Sequence, residues 1–284
     1  MPTFGAWEYE VLDHTMDITD FVSLHMYYEN PLSDVQEFLA NVELMDHFIK
    51  ETIAVCDAVA AKRKSLKRVM LSMDEWNVWY KARAGEHMAK PGWPVAPPLI
   101  EEIYDLQDAL MVGGALITLL NNANRVKVAC QAQLVNVIGL IFSEPGGPAW
   151  RQTIFHPFKI VTEHAHGNVL EVKVQSDQHE TKTAGVVDDI VAAAVHDVAK
   201  GKVAFFILNR EANGTVEVSL DLHGFPPATG CTAVAISGPD LLATNSAAKP
   251  NSIVPKEHNE FSVKDDKVVA KLPPMSWNML SISY

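Results

Sequence analysis

Two adjacent carboxylates and a group of large aromatic rings stand at the end of one apolar run. The stretch VMLSMDEWNVWY, residues 69–80, begins as a buried strand and ends in Asp74, Glu75, two tryptophans and a tyrosine. Aromatic faces stack against sugar rings, and a carboxylate can act as acid, base or nucleophile at a glycosidic bond. This combination is typical of a carbohydrate-active site. The alternative is that one acid caps the next turn and the tryptophans belong to the core.

The two carboxylates are expected to point in opposite directions. Neighbouring side chains on a strand face opposite sides of the sheet, so Asp74 and Glu75 should not share one cavity. One should face the centre of the fold, and the other should face the helix layer behind the sheet.

Strands and helices alternate over the first part of the chain. Apolar runs predict strands, and apolar residues at helical spacing predict helices; the segments are, in order, strand 18–28, helix 34–64, strand 69–73, helix 106–124, strand 125–139 and helix 156–167. Ser33 with Gln36 predicts a capping box at the start of the first helix. This βα rhythm is typical of a parallel sheet or barrel. In such folds, sites form at the C-terminal ends of the strands.

The pattern changes after Gly167. Short, roughly alternating runs are separated by turn signals such as Lys200-Gly201 and Asn213-Gly214, which predicts an antiparallel β-sandwich. The fold class is therefore α/β followed by all-β. The expected division is between residues 1–166 and residues 167–284.

Composition excludes several classes of function. The formal net charge is −12 and the pI is about 5.3, which argues against a nucleic-acid partner because phosphate binding needs clustered cations. Cys56, Cys130 and Cys231 are far apart, so we expect buried, reduced thiols and no disulfide framework. The N-terminus lacks the features of a signal peptide, and no apolar run reaches the ~18 residues of a membrane span. The chain is expected to be cytoplasmic, with no membrane partner.

Several motifs resemble those of one enzyme family, in the same order and at similar spacings. LSMDEWNVWY is similar to the nucleophile motif of glycoside hydrolase family 51, the α-L-arabinofuranosidases. The resemblance extends over essentially the whole chain, and further segments that carry it are FVSLHMYYEN, DALMVGGALITLLNNANRVKVACQAQLVNVI, EPGGPAWRQTIFHPF and KLPPMSWNMLSI.

The resemblance implies a fold and a set of site residues. The family has a (β/α)8 TIM barrel with an appended β-sandwich and acts with retention on non-reducing terminal α-L-arabinofuranosyl units. By resemblance Glu75 is the nucleophile, Tyr27 hydrogen-bonds near it, Gln133 contacts sugar hydroxyls, and His25 and Trp79 line the leaving-group side. Asp74 is then a supporting residue that is turned away from the site.

Each of these assignments has a structural alternative. Tyr27 can be a core aromatic residue at a strand end, Gln133 a solvated or backbone-capping amide, and His25 a satisfied barrel histidine. His164 and His166 lie in a predicted helix, where positions i and i+2 do not share a face, so no metal site is expected. No cofactor is expected either.

The general acid that a retaining glycosidase needs is not recognisable in the chain. The family's acid is a Glu that follows Asn on the fourth barrel strand, whereas the Asn259-Glu260 pair lies among sandwich turns. The three predicted strands correspond by resemblance to strands six to eight of the barrel, and three strands cannot close it. The chain is thus expected to be the C-terminal portion of the enzyme, starting at what resembles an internal methionine. It could come from a truncated gene, a partial reading frame or a split enzyme.

Partners and alternatives follow from this interpretation. The expected partners are an arabinofuranosyl-containing oligosaccharide or polysaccharide, the missing N-terminal half of the barrel, and a second copy in a homo-oligomer. The chain alone is expected to be inactive. The alternative is a catalytically inactive carbohydrate-binding or split-enzyme partner fragment, and a further alternative is another retaining glycosidase, such as an endoglucanase or xylosidase.

Overall fold

A three-stranded parallel sheet carries the first half of the chain. The computed structural model describes residues 3–31, 33–80, 92–93, 95, 97–264 and 266–284. The sheet has the order β1-β2-β3, and its strands are β1 (Phe21–Tyr28), β2 (Met70–Val78) and β3 (Val126–Gln131). The predicted strands are therefore confirmed, although each has shifted or shorter ends. The proline-containing loop around residues 89–98 lies largely outside the described residues.

Helices connect and cover these strands. They are α1 (Ala6–Thr15), α2 (Val35–Leu39), α3 (Asn41–Lys62), α4 (Leu106–Asn121) and α5 (Phe155–His164). The long helix predicted over residues 34–64 is interrupted at Ala40, which separates α2 from α3. The predicted capping residue was wrong: Asp34, and not Ser33, accepts hydrogen bonds from the backbone N–H groups of Gln36 and Glu37. Asp34 has the extended backbone that an N-cap needs, whereas Ser33 has a positive φ of 54°.

Helix α4 lies in the centre of the molecule and is buried on all sides. Every residue from Leu106 to Leu119 is buried, because α4 packs against α3, α5 and β2 and also against strands of the second half. Its close approach to Trp277 depends on Gly113, where a Cβ atom would lie 2.3 Å from the indole ring. The Ala-, Leu- and Gly-rich composition of this helix is thus explained by burial rather than by amphipathicity.

Antiparallel strands form the second half of the chain after Gly167, as predicted, and a hairpin over residues 141–151, which was not predicted, lies ahead of that boundary. They are β4 (Ile141–Ser143), β5 (Ala149–Arg151), β6 (Asn168–Leu170), β7 (Gln178–Thr181), β8 (Gly185–Asp188), β9 (Ile190–Asp197), β10 (Lys202–Asn209), β11 (Val216–Asp221), β12 (Gly230–Ile236), β13 (Lys256–Glu257), β14 (Phe261–Lys264), β15 (Lys267–Leu272) and β16 (Ser276–Ser283). A six-stranded sheet has the order β13-β12-β16-β10-β9-β6, and a three-stranded sheet has the order β11-β15-β14. Hairpins β4-β5 and β7-β8 stand apart from both sheets.

The two sheets differ in how their residues alternate. Strand β11 alternates between exposed and half-buried residues, whereas β10 is buried from Val203 onward and β16 is buried over most of its length. One face of the six-stranded sheet packs on the first half of the molecule, and its other face covers the three-stranded sheet. The expectation of alternating runs was therefore wrong for β10 and β16, because a strand covered on both faces is apolar throughout.

The two halves are joined by charged contacts as well as apolar ones. The fully buried Arg210 donates to Glu43 of α3 at 3.1 Å and to the backbone carbonyl of Asp188. Glu37 of α2 accepts hydrogen bonds from the backbone N–H groups of Lys182 and Thr183 in the β7-β8 hairpin. These contacts fix the second half against α2 and α3.

The cysteines only partly follow the prediction. Cys56 is buried, but Cys130 is exposed and Cys231 is half-buried, and all three are free thiols. Cys130 lies on β3, an outer strand of the parallel sheet on which four of the six residues are exposed. Within the described ranges, no helix combines the length and the apolar character needed to span a membrane.

Candidate active site

The C-terminal ends of β1 and β2 bring Tyr27 and Glu75 together. The two strands pair in parallel, with His25 opposite Glu75 and Tyr27 opposite Asn77. The Tyr27 hydroxyl donates a hydrogen bond of 2.6 Å to Glu75 Oε1. Burial, followed by this hydrogen bond and the charge of Glu75, raises the pKa of Tyr27. The phenol therefore stays protonated at neutral pH and remains a donor to the carboxylate.

His25 lies between Asp74 and Glu75. Its Nδ1 atom is 3.5 Å from Glu75 Oε2, and its Nε2 atom is 3.3 Å from Asp74 Oδ1. The side chains of all three residues are partly exposed, at 50% for His25, 39% for Asp74 and 44% for Glu75. The site is thus open to solvent and accessible to a ligand.

The expectation that Asp74 turns away from the site was wrong. The pairing register between β1 and β2 shifts between Ser23 and His25, and the register between β2 and β3 shifts between Met73 and Trp76. Such an irregularity breaks the two-residue alternation of side chains. Asp74 and Glu75 consequently both reach the same imidazole, and Asp74 also accepts a hydrogen bond of 2.7 Å from Ser23 Oγ.

The three aromatic residues that follow Glu75 have different positions. Trp79 is half-buried and its ring meets Tyr27 edge-on, with the ring centroids 5.2 Å apart. Trp76 is fully buried in the core, and the buried Tyr80 donates to Asp108 at 2.6 Å. Trp79 therefore lies beside the Tyr27–Glu75 pair, whereas Trp76 and Tyr80 are core residues.

Gln133 follows the neighbouring strand β3 at the same edge of the sheet. The backbone N–H of Ala132 donates to the carbonyl of Trp76 at 3.0 Å, which places Gln133 beside the end of β2. The Ala132–Gln133 peptide bond is cis, and the Gln133 side chain is exposed. The contacts described around Glu75 come from Tyr27 and His25, so Gln133 lies at the site edge without being bound to the carboxylate.

Asn77 supports the site and was not identified from the sequence. It is fully buried and donates to the backbone carbonyls of Ala132 and Ile138, the latter at 2.6 Å. Its carbonyl oxygen accepts from Gln131 Nε2 at 2.9 Å. Asn77 therefore fixes the segment that carries Gln133 against the end of β2. The available signal was an amide side chain between the apolar residues Trp76 and Val78, where a buried polar group needs partners.

A second buried network holds the end of β2 to α4. The Tyr104 hydroxyl donates to the Val78 carbonyl at 2.8 Å, and Asp108 pairs with Asp105 in a capping box. Burial, followed by the charge of Asp105, raises the pKa of Asp108 well above its usual range. This network stabilises the backbone at Val78, the residue that precedes Trp79.

The groups that could hold a metal lie away from this edge. Among the described residues, three potential ligands converge at Asp221, His223 and Asp266, on the three-stranded antiparallel sheet and its turns. All three belong to the second half of the chain, whereas Glu75 lies on β2 of the parallel sheet. His164 is the last residue of α5 and His166 lies beyond its end, which differs from the predicted helix over both.

Glu260 belongs to the antiparallel half, as the sequence predicted. It precedes β14, and its carbonyl accepts from the backbone N–H of Lys271 at 2.9 Å. Asp74, the carboxylate next to Glu75 in sequence, accepts a hydrogen bond from Ser23 and lies beside His25. The arrangement therefore presents one carboxylate, Glu75, with a phenol donor on one oxygen and an imidazole near the other.

Comparison with known proteins finds relatives that are described as α-L-arabinofuranosidases. The family model of the α-L-arabinofuranosidase C-terminal domain matches residues 74–276. The "intracellular exo-α-(1→5)-L-arabinofuranosidase" of Streptomyces lividans is 42% identical over 280 residues, which cover 99% of this chain and 42% of that protein. The Bacillus subtilis protein described as intracellular exo-α-(1→5)-L-arabinofuranosidase 1 is 39% identical, over 99% of this chain and 56% of its own length.

Solved structures show the same partial overlap. The family 51 α-L-arabinofuranosidase AbfB of Bifidobacterium longum superimposes with a TM-score of 0.92 at 36% identity, over 99% of this chain and 56% of that one. The Thermotoga maritima α-L-arabinofuranosidase, solved as an arabinose complex, has a TM-score of 0.82 at 24% identity and supports the fold alone. The chain spans about half the length of the curated relatives it matches.

Proposed function

Because the chain belongs to the α-L-arabinofuranosidase family, glycoside hydrolase family 51, and corresponds to its C-terminal portion, we propose that it supplies the nucleophile of a retaining glycosidase. The substrate is a non-reducing terminal α-L-arabinofuranosyl unit of an oligosaccharide or polysaccharide. The activity named for the Streptomyces and Bacillus relatives supports this substrate class.

The geometry around Glu75 is the observation that carries the proposal. A retaining mechanism needs an ionised carboxylate that is held in place yet accessible to the anomeric carbon. Tyr27 holds one oxygen of Glu75 at 2.6 Å, and the side chain is 44% exposed. Trp79 forms a wall beside Tyr27, His25 adjoins the carboxylate, and Gln133 lies at the edge where it can meet sugar hydroxyls.

The reaction proceeds in two displacements. Glu75 attacks the anomeric carbon and forms a glycosyl ester, while the bond to the leaving-group oxygen breaks and that oxygen takes a proton from a general acid. Water, deprotonated by the same group, then attacks the anomeric carbon, breaks its bond to the Glu75 carboxylate and releases arabinose with net retention. The acid must lie within ~5–5.5 Å of the nucleophile, and we assign it to the part of the enzyme that this chain does not include.

The missing part also completes the fold. In this proposal residues 1–166 are the last βα units of a (β/α)8 barrel, and residues 167–284 are the sandwich domain. Strands β1 and β3 are the outer strands of the described parallel sheet, and a closed barrel pairs every such edge. The partner is therefore the N-terminal half of the barrel. An intracellular location, which the names of the relatives give for them, and assembly into a homo-oligomer belong to the same proposal.

A fusion tests this proposal. The portion of the Bacillus subtilis relative that this chain does not match is placed ahead of Met1, giving what we call the completed enzyme. The 284-residue chain alone should not hydrolyse a nitrophenyl α-L-arabinofuranoside above buffer, whereas the completed enzyme should, and Glu75→Ala should abolish the turnover. Turnover by the lone chain, or an active Glu75→Ala variant, would contradict the proposal, and a panel of nitrophenyl xylosides and glucosides checks the substrate class.

The alternative of a non-catalytic carbohydrate-binding fragment has less support. Phe205, Phe206 and Trp277 are all buried in the six-stranded sheet, so they serve the core and are not available to stack against a sugar. A split-enzyme partner remains compatible with the same residues, because it differs only in whether the two halves are separate chains. Co-expression of the two halves without fusion distinguishes these arrangements.

A further inference from the structure

Ser23, Asp74 and His25 form a connected group beside Glu75. Ser23 Oγ donates to Asp74 Oδ1 at 2.7 Å and lies 3.2 Å from His25 Nε2. Asp74 Oδ1 is 3.3 Å from the same nitrogen, and the opposite nitrogen, Nδ1, is 3.5 Å from Glu75 Oε2. One edge of the imidazole thus faces Ser23 and Asp74, and the other faces the proposed nucleophile.

The hydrogen positions follow from this connectivity. The Ser23 hydroxyl hydrogen is used on Asp74, so the Ser23 oxygen is left as an acceptor toward His25 Nε2. Asp74 and Glu75 each place a carboxylate beside one ring nitrogen, but Nε2 has the nearer carboxylate, at 3.3 Å against 3.5 Å, and the Ser23 oxygen as a second acceptor, so the hydrogen is favoured on Nε2. A partner on one ring nitrogen determines which nitrogen carries the hydrogen and how the ring is oriented.

The ring needs such a partner to hold its position. His25 is half-exposed on an open strand, and the terminal torsion of an exposed imidazole is broad. A base or donor in a catalytic site is commonly oriented by a third group behind it. Asp74 occupies that position here because the shifted register brings it to the same side of the sheet as Glu75.

We propose that Asp74, held by Ser23, is a positioning residue that keeps a hydrogen on His25 Nε2 and fixes the orientation of the imidazole ring beside Glu75. Its effect on the reaction passes through His25, because Asp74 is bound to Ser23 and does not face the anomeric carbon in the proposed mechanism. The expected kinetic effects rest on the proposed function, whereas the expected tautomer and orientation of the His25 imidazole do not.

A double-mutant cycle tests the proposal in the completed enzyme. Asp74→Asn should lower kcat about 10- to 100-fold with little change in KM, and Ser23→Ala should act in the same direction. In a His25→Gln background, Asp74→Asn should have no further effect, since residues that act as one unit are not additive. Equal losses in both backgrounds would overturn the proposal and leave Asp74 a purely structural residue.

Nuclear magnetic resonance tests the ring itself in the 284-residue chain, whether or not the completed enzyme is active. With labelled histidine, and with His25→Gln for assignment, the Nε2–H proton of His25 should be observable, because its hydrogen bond slows exchange with water. Asp74→Asn and Ser23→Ala should each abolish that signal, and Glu10→Gln, at an exposed position of α1, should leave it unchanged. A signal that is absent in the unmodified chain, or that survives both substitutions, would overturn the proposal.

Discussion

Two groups on one strand reach the carboxylate of Glu75, and they make different kinds of contact. Tyr27 gives a short hydrogen bond of 2.6 Å, whereas the nearest nitrogen of His25 is 3.5 Å away. A hydrogen bond to an ionised acceptor is stronger than one between neutral groups. Tyr27 is therefore expected to hold the nucleophile most firmly.

Replacement of Tyr27 by Phe in the completed enzyme should lower kcat/KM by about 10- to 100-fold, because a hydrogen bond to a charged group contributes about 1.5–3 kcal/mol. The raised pKa of Tyr27 keeps the hydroxyl a donor through pH 9, so the ratio between the two enzymes should be constant from pH 7 to 9. Steady-state kinetics with a nitrophenyl arabinofuranoside measures both quantities.

Tyr28→Phe is the matched control for this prediction. Tyr28 is the next residue of β1, and its buried hydroxyl has no hydrogen-bond partner among the described residues. Removing that hydroxyl should leave kcat/KM within about twofold, since no bond is lost. Equal losses for the two variants would mean that the Tyr27–Glu75 contact has no role in the reaction.

The elements around the site were easier to predict than the orientation of its side chains. Apolar runs located β1, β2 and β3, and family motifs pointed to Glu75 and Tyr27, which form a hydrogen bond in the structure. Alternation within β2 could not place Asp74, because the register shift depends on pairing with β1 and β3. Asn77 was missed because its partners lie on a segment more than fifty residues away.

Asn77→Ala should destabilise the 284-residue chain by about 1–3 kcal/mol, because buried polar groups lose their partners. Chemical denaturation followed by fluorescence measures the free energy of unfolding. Asn213→Ala, in an exposed turn, should change it by less than about 0.5 kcal/mol. If both variants unfold at the same denaturant concentration, Asn77 does not hold the Gln133 segment.

Helix α5 carries a histidine that links stability to pH. Burial, followed by the charges of Arg151 and Lys159, lowers the pKa of His156 to about 4. An unfolded chain binds this proton near pH 6.5, so the unfolded state gains protons first and stability falls as the pH drops from about 6.5 to 4. His156→Gln should show a smaller loss of stability over this interval, measured by denaturation at pH 7 and pH 4.5.

His14→Gln provides the comparison, because the His14 side chain is 74% exposed. This variant should keep the pH dependence of the unmodified chain. A loss of stability between pH 7 and pH 4.5 that is the same in all three proteins would show that His156 is not responsible for it.

The whole molecule depends on the docking of its two halves across α4 and around Arg210. The guanidinium is fully buried and joins Glu43 of α3 to the backbone of Asp188 in the antiparallel half. The sequence predicted both halves, but it could not show how they meet, because these partners are more than 140 residues apart.

Arg210→Met should destabilise the chain by about 3 kcal/mol or more, because removing one member of a buried pair leaves its partners unsatisfied. Lys50→Met, which removes an exposed pair with Asp46, should cost less than about 1 kcal/mol. Denaturant unfolding of the two variants measures the difference. Similar stabilities would contradict a structural role for Arg210 at the junction.

The most direct measurement of the central claim is azide rescue of the completed enzyme carrying Glu75→Ala, with a nitrophenyl arabinofuranoside as substrate. Without a nucleophile, azide can attack the anomeric carbon as nitrophenolate leaves, and the new carbon–nitrogen bond forms on the face opposite the broken carbon–oxygen bond. If Glu75 is the nucleophile, azide restores turnover and the product is the inverted, β-configured arabinofuranosyl azide. An α-configured azide, or hydrolysis that continues undiminished without azide, would contradict that role.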